Sequence, residues 1–144
     1  MKFYESESQV HARPEQVWRV LVDAASWADW DSGVEGVDGR IVLGGKITIR
    51  SAAAPGRSFP VTVTVLDAPR SLVLTGGMPL GLFRGVRTYT LTPDGDGTRF
   101  RMREEYTGAV LPMIWRSMPD LQPSFDRFAA GIAKRAESEA PIGG

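Results

Sequence analysis

Two periods of hydrophobic spacing divide this chain. Residues 2–10 (KFYESESQV) alternate loosely between apolar and polar, the repeat of a strand with one covered face. Pro14 and Glu15 then suit the first turn of a helix, and Val17, Trp18, Leu21 and Val22 predict one buried face over that helix. Residues 23–31, with Trp27 and Trp30, read as a second short helix or turn. From residue 34 the period falls to two. It predicts strands near 36–43, 45–52, 59–67, 70–76, 84–92 and 98–107, separated by turn chemistry such as Gly44-Gly45, Pro55-Gly56, Asp67-Ala68-Pro69-Arg70 and Asp94-Gly95-Asp96-Gly97. The last third returns to helical spacing. Met118, Leu121, Phe125, Phe128, Ile132 and Ala136 step by three or four and predict a long amphipathic helix, with a break at 117–123 where Pro119 and Pro123 fall.

Short connections imply antiparallel neighbours, so the expected class is α+β: a curved seven-stranded antiparallel sheet around a long C-terminal helix, with two short helices after the first strand. Residues 1–139 are expected to form one domain, and residues 140–144 a loose tail. One helix cannot fill a strongly bent sheet of seven strands, so a cavity between them is a geometric expectation.

The passage Ala12-Arg13-Pro14-Glu15-Gln16-Val17-Trp18, followed by Leu21-Val22-Asp23 and by Trp27 and Trp30, resembles the strand-to-helix opening of the START/Bet v 1-like helix-grip superfamily (SRPBCC). Phe125-Asp126-Arg127-Phe128 resembles its closing helix. The likeness extends over nearly the whole chain, and within the superfamily it is greatest to bacterial polyketide cyclase/dehydrase-like proteins. It implies a helix-grip fold. It does not select a function, because this fold hosts transporters, receptors, enzymes and chaperone cofactors.

Charge narrows the possible partners. Lys plus Arg and Asp plus Glu number 17 each, for a formal net charge of zero, which disfavours nucleic acid. No polybasic cluster stands beside an apolar stripe, which disfavours a membrane surface. There is no cysteine, hence no disulfide, thiol nucleophile or thiolate metal site. No apolar signal region follows Met1-Lys2-Phe3-Tyr4-Glu5 and no apolar run is long enough to span a bilayer, so a cytoplasmic protein without membrane insertion is expected.

Strand alternation selects the residues that face inward. Val61, Val63 and Val65 share one face of their strand, and pairing across the Asp67–Arg70 turn sets Val63 opposite Leu74 and Val65 opposite Leu72. In the last hairpin Phe100, Met102, Glu104 and Tyr106 share a face, while Arg99, Arg101, Arg103 and Glu105 share the wet one. Pairing Leu91 with Phe100 puts Tyr89 beside Met102 and Arg87 beside Glu104. An arginine and a glutamate then meet inside the sheet, where an unpaired charge would cost roughly 3–5 kcal/mol. Such a pair either holds the hairpin's register or anchors the polar end of a ligand. The apolar segment 75–85 carries Met78 and Phe83 among four glycines. It is either a lid over the cavity, as in related ligand receptors of this fold, or a packed element.

Candidate ligand-binding residues are therefore Val63, Leu74, Met78, Phe83, Arg87, Tyr89, Met102, Glu104, Trp115 and Met118. Arg87, Glu104 and Tyr106 are the catalytic candidates. His11, the only histidine, has no evident orienting partner. No metal and no cofactor is expected. Trp18, Trp27 and Trp30 read as core. The leading reading is a protein that holds a hydrophobic lipid-, aromatic- or polyketide-like molecule. The alternatives are a cyclase/aromatase or dehydratase-type enzyme and a chaperone-cofactor-like interaction module, and the apolar 78–83 segment makes a homodimer plausible.

Overall fold

A computed structural model describes residues 1–139; the predicted tail at 140–144 lies outside them. The strands are β1 (Lys2–Val10), β2 (Val34–Asp38), β3 (Lys46–Ser51), β4 (Phe59–Asp67), β5 (Ser71–Met78), β6 (Phe83–Asp94) and β7 (Gly97–Thr107). They form one antiparallel sheet in the order β1-β7-β6-β5-β4-β3-β2. Strands β2 to β7 make a plain meander, and β1 closes it by pairing with β7. The two edges, β1 and β2, are joined by helix α1 (Pro14–Val22) and a short 3-10 helix (Ala24–Asp29). After β7 come α2 (Leu111–Ser117) and α3 (Gln122–Ser138), and α3 lies along β1 and β7 on the concave face.

The core is aromatic where α3 meets the sheet. Phe128 on α3 sits 5.1 Å from Trp27, 5.7 Å from Tyr89 and 6.1 Å from Phe100, measured between ring centres. Gly131 lets the helix come in close, because a β-carbon there would strike the Asp31 carbonyl and the Trp30 ring. Buried donors tie α1 down: Gln16 Nε2 donates to the Ala136 carbonyl at 2.6 Å and Trp27 Nε1 to the Leu21 carbonyl at 3.0 Å. Trp27 is fully buried, while Trp18 and Trp30 are only partly so and pack against the core. The opposite face of the sheet is wet, with Arg99, Arg101 and Arg103 paired to Glu7, Glu5 and Glu105. Among the described residues no helix is long and apolar enough to cross a membrane.

Four expectations need correction. The second strand ends at Asp38, because Gly39 takes φ +103°, and residues 39–45 form a loop instead of strand. Val63 does face Leu74, but a bulge at Thr64 shifts the register so that Leu66, not Val65, faces Leu72. Val65 is thereby turned to solvent at 41% exposure. The segment 75–85 is not a long loop: Gly76, Gly77 and Met78 pair with Gly85, Arg84 and Phe83, and only the tight turn Pro79–Leu82 is unpaired. The break near 117–123 is present, yet it leaves Met118 and Leu121 outside both helices, so the buried stripe of α3 starts at Phe125.

Candidate functional site

The inward faces of β6 and β7 carry four cross-strand pairs, and they differ from one end of the sheet to the other. Leu91 faces Phe100, Tyr89 faces Met102, Arg87 faces Glu104, and Gly85 faces Tyr106. The first three pairings are those that alternation and the Asp94–Gly97 turn predicted. On the other side of β6, Gly85 faces Gly76 of β5. Two glycines therefore stand side by side on the concave face, and nothing projects from the sheet there. Neither has a positive φ, so backbone conformation does not require glycine at 76 or 85. What they provide is space. A β-carbon on Gly85 would stand 3.1 Å from Glu104 Oε2, and one on Gly76 would stand 2.9 Å from the Pro60 carbonyl.

That space is a partly open cleft of about 280 Å³ between the sheet and the start of α3, lined at one end by Ser51, Phe59, Gly77 and Phe83 where β3 to β6 begin or finish. Ile49, Val61, Leu74 and Met102 rise from the sheet; Phe125, Phe128 and Met118 close it from the helical side. Of the residues singled out in the sequence, Leu74, Phe83, Arg87, Met102, Glu104, Tyr106 and Met118 line it. Four others do not. Val63 and Tyr89 are fully buried in the filled core behind it. Met78 is 47% exposed on the outside of the turn. Trp115 stacks on Tyr4 at 5.3 Å and lies against Tyr106 at 5.8 Å, so it props the wall from behind. His11 is exposed and absent from the lining, its backbone N–H donating to Glu137. Sequence reasoning missed Ile49, Phe125, Gly76 and Gly85 as lining. The signal was available for the glycines, since both have inward parity.

The polar groups of the cleft form one cluster. Arg87 Nε donates to Glu104 Oε1 at 2.6 Å, with the two side chains 23% and 16% exposed. The guanidinium lies 4.8 Å from the centre of the Phe125 ring, so α3 covers the ion pair with an aromatic face. Burial pulls the Arg87 pKa down, but the Glu104 carboxylate and the Tyr89 and Tyr106 oxygens outweigh it, and the net shift is upward. Burial also pushes the Tyr106 hydroxyl above its ordinary value, and Glu104 adds to the rise. Tyr89 is raised by burial and partly relieved by Arg87. Both hydroxyls feel these charges, yet neither reaches hydrogen-bond geometry with a protein partner. The site is thus a neutral ion pair beside the buried, un-ionised Tyr106 hydroxyl, at the base of an apolar cleft.

Residues 2–137 match the family described as polyketide cyclase / dehydrase and lipid transport. The chain belongs to this polyketide cyclase / dehydrase and lipid transport family. No curated protein matches it significantly. Among solved structures, this family member is similar to protein MLL2253 from Mesorhizobium loti, with a TM-score of 0.74 at 20% identity over 96% of this chain and 100% of that one. It is also similar to truncated norcoclaurine synthase from Thalictrum flavum, with a TM-score of 0.68 at 17% identity over 96% and 95%. A third likeness is to DynU16, a protein of the dynemicin biosynthetic locus, with a TM-score of 0.71 at 16% identity over 98% of this chain and 49% of that one. At these identities the structures show a shared fold.

Proposed function

We propose that this family member binds an uncharged, mainly apolar small molecule in the cleft, with the polar end of that molecule at Arg87, Glu104 and Tyr106. The observation that carries this reading is the neutral ion pair at the base of an otherwise apolar space. The size of the cleft bounds the ligand. A cavity of roughly 150 Å³ accepts one benzene ring. A cleft of about 280 Å³ therefore suits two fused rings or a chain of similar bulk. Charge bounds it further. Arg87 is already neutralised, so a carboxylate would bring a second anion beside Glu104 in a poorly solvated place. A ketone, phenol or alcohol can accept from the Tyr106 hydroxyl without that penalty. Leu74, Phe83, Met102 and Met118 would supply apolar contact. Calorimetric titration near neutral pH with 2-naphthol and 2-naphthoate tests the reading. Saturable binding of the naphthol, at least about tenfold tighter than the carboxylate, is expected. No binding of either, or preference for the carboxylate, refutes it.

A second reading is a cyclase or aromatase acting on a poly-β-ketone. It is favoured by the closeness of the buried Tyr106 hydroxyl to the Glu104 carboxylate, an acid and a base at one wall of a water-poor cleft. Norcoclaurine synthase, of the same fold, bears the name of an enzyme. Here Glu104 would take a proton from the carbon that attacks and Tyr106 would hold the developing enolate. Turnover of a synthetic triketide or longer poly-β-ketone that Glu104→Gln abolishes, with naphthol binding retained, would establish this reading over simple binding.

A further inference from the structure

The open end of the cleft carries a second kind of surface. Several strand ends that meet there can be placed by register: Lys2 of β1 faces Tyr106 of β7, Arg84 of β6 faces Thr107, and Met78 of β5 faces Phe83. Phe59 begins β4 on the same side, two residues after Arg57. Helix α2 joins this end, because the Val110 N–H donates to the Leu82 carbonyl at 3.0 Å. Of the large apolar residues that remain exposed, Phe59, Met78, Leu80, Leu82 and Met113 all gather here. Leu80 is 95% exposed at φ +61°, on the turn Pro79–Gly81. Neither burial nor backbone geometry accounts for leucine at a left-handed turn position, where Asn or Gly would be less strained.

The charges around these side chains carry a small positive excess. Lys2, Arg57, Arg84 and Arg116 lie at this end, and among the described residues none of them has an ion-pair partner. Glu35, Asp120 and Asp126 are acidic residues nearby that are likewise without one, the last two both accepting from Gln122. The zero net charge of the chain therefore conceals four unpaired cations gathered at one end. In the sequence these cations are scattered from residue 2 to residue 116, which is why no polybasic cluster was visible.

We propose that the open end of the cleft docks on the surface of an anionic lipid bilayer, with Leu80, Leu82 and Met113 entering the headgroup boundary and Lys2, Arg57, Arg84 and Arg116 at headgroup level. Isolated apolar tips ringed by unpaired cations fit such a surface, where apolar insertion and attraction to anionic lipid act together. The docked orientation turns the cleft mouth toward the membrane. This proposal does not rest on the cleft being occupied, and none of Leu80, Met113, Arg84 and Arg116 lines it.

Co-sedimentation of the purified chain with phosphatidylcholine vesicles, with and without phosphatidylserine, tests the idea. Binding should appear with phosphatidylserine and fade as salt rises. Arg84→Gln with Arg116→Gln should weaken it roughly 25-fold, at about fivefold per cation. Leu80→Asn with Met113→Ser should reduce it further at any salt, and Asn suits the left-handed position, so folding should persist by circular dichroism. Failure to sediment with either vesicle overturns the proposal. So does equal binding to both, or a self-associated dimer by sedimentation velocity that the Leu80→Asn and Met113→Ser variant dissolves.

Discussion

The two halves of the concave face were built by the same strands and came out opposite. At one end β6 and β7 present Leu91, Phe100 and Tyr89, and Trp27 and Phe128 fill what remains, with Met102 at the boundary of the cleft. At the other they present Arg87, Glu104, Gly85 and Tyr106, and a cleft remains. The curvature of the sheet is common to both ends, so curvature alone does not make a cavity. Side-chain volume decides, and the pair of glycines at 76 and 85 is where volume is withheld.

Truncating the filled end should have the largest effect on stability. Phe100→Ala removes a fully buried ring and should cost about 4 kcal/mol by chemical denaturation. Its effect on naphthol binding should be small, since Phe100 does not line the cleft. At the open end the ion pair is the most sensitive point. Glu104→Ala strands the Arg87 guanidinium under Phe125 and should cost about 3 kcal/mol. Arg87→Met combined with Glu104→Leu should recover most of that loss, because no charge is then left unpaired. If the double variant is as unstable as the single one, the pair is not what holds this end together.

Smaller effects separate the ends by pH. Tyr106 has its folded pKa raised, so the stability tied to its neutral form is whole below the unfolded value of about 10 and is lost as pH climbs beyond it. Denaturant midpoints of the wild type should fall on the alkaline side, and those of Tyr106→Phe should fall less. At neutral pH that variant should match or slightly exceed the wild type, because the hydroxyl it removes has no hydrogen-bond partner. On the wet face, Glu5 is held below its ordinary value by hydrogen bonds from Arg101 and Arg103. Its contribution is present above the unfolded pKa and disappears as pH falls through the folded one. Glu5→Gln should therefore reduce stability slightly near neutrality and not at all in strong acid.

The ion pair was legible because a short Asp-Gly-Asp-Gly turn and strict alternation leave one register for the β6–β7 hairpin. The bulge at Thr64 was not, since Val61, Val63 and Val65 alternate just as they would in an unbroken strand. Gly76 and Gly85 stood out only as glycines of a segment read as either a lid or a packed element, yet both lie in paired strands and act by lacking a side chain. Tyr89 has the inward parity of a cleft residue and is instead sealed beneath Phe128, which periodicity on β6 could not reveal. Trp115 and Met118 lie three positions apart, but the helix break sends one behind the wall and the other into it.

The claim on which the rest depends is that absent side chains at the paired glycines create a site able to hold a ligand. Calorimetric titration of wild type and Gly85→Val with 2-naphthol addresses it most directly. Valine suits a strand and would project toward Glu104 and Tyr106. The account predicts binding to the wild type and at least about a tenfold loss in the variant, with stability changed by roughly 1–3 kcal/mol at most. Undiminished binding by a folded Gly85→Val protein would contradict it.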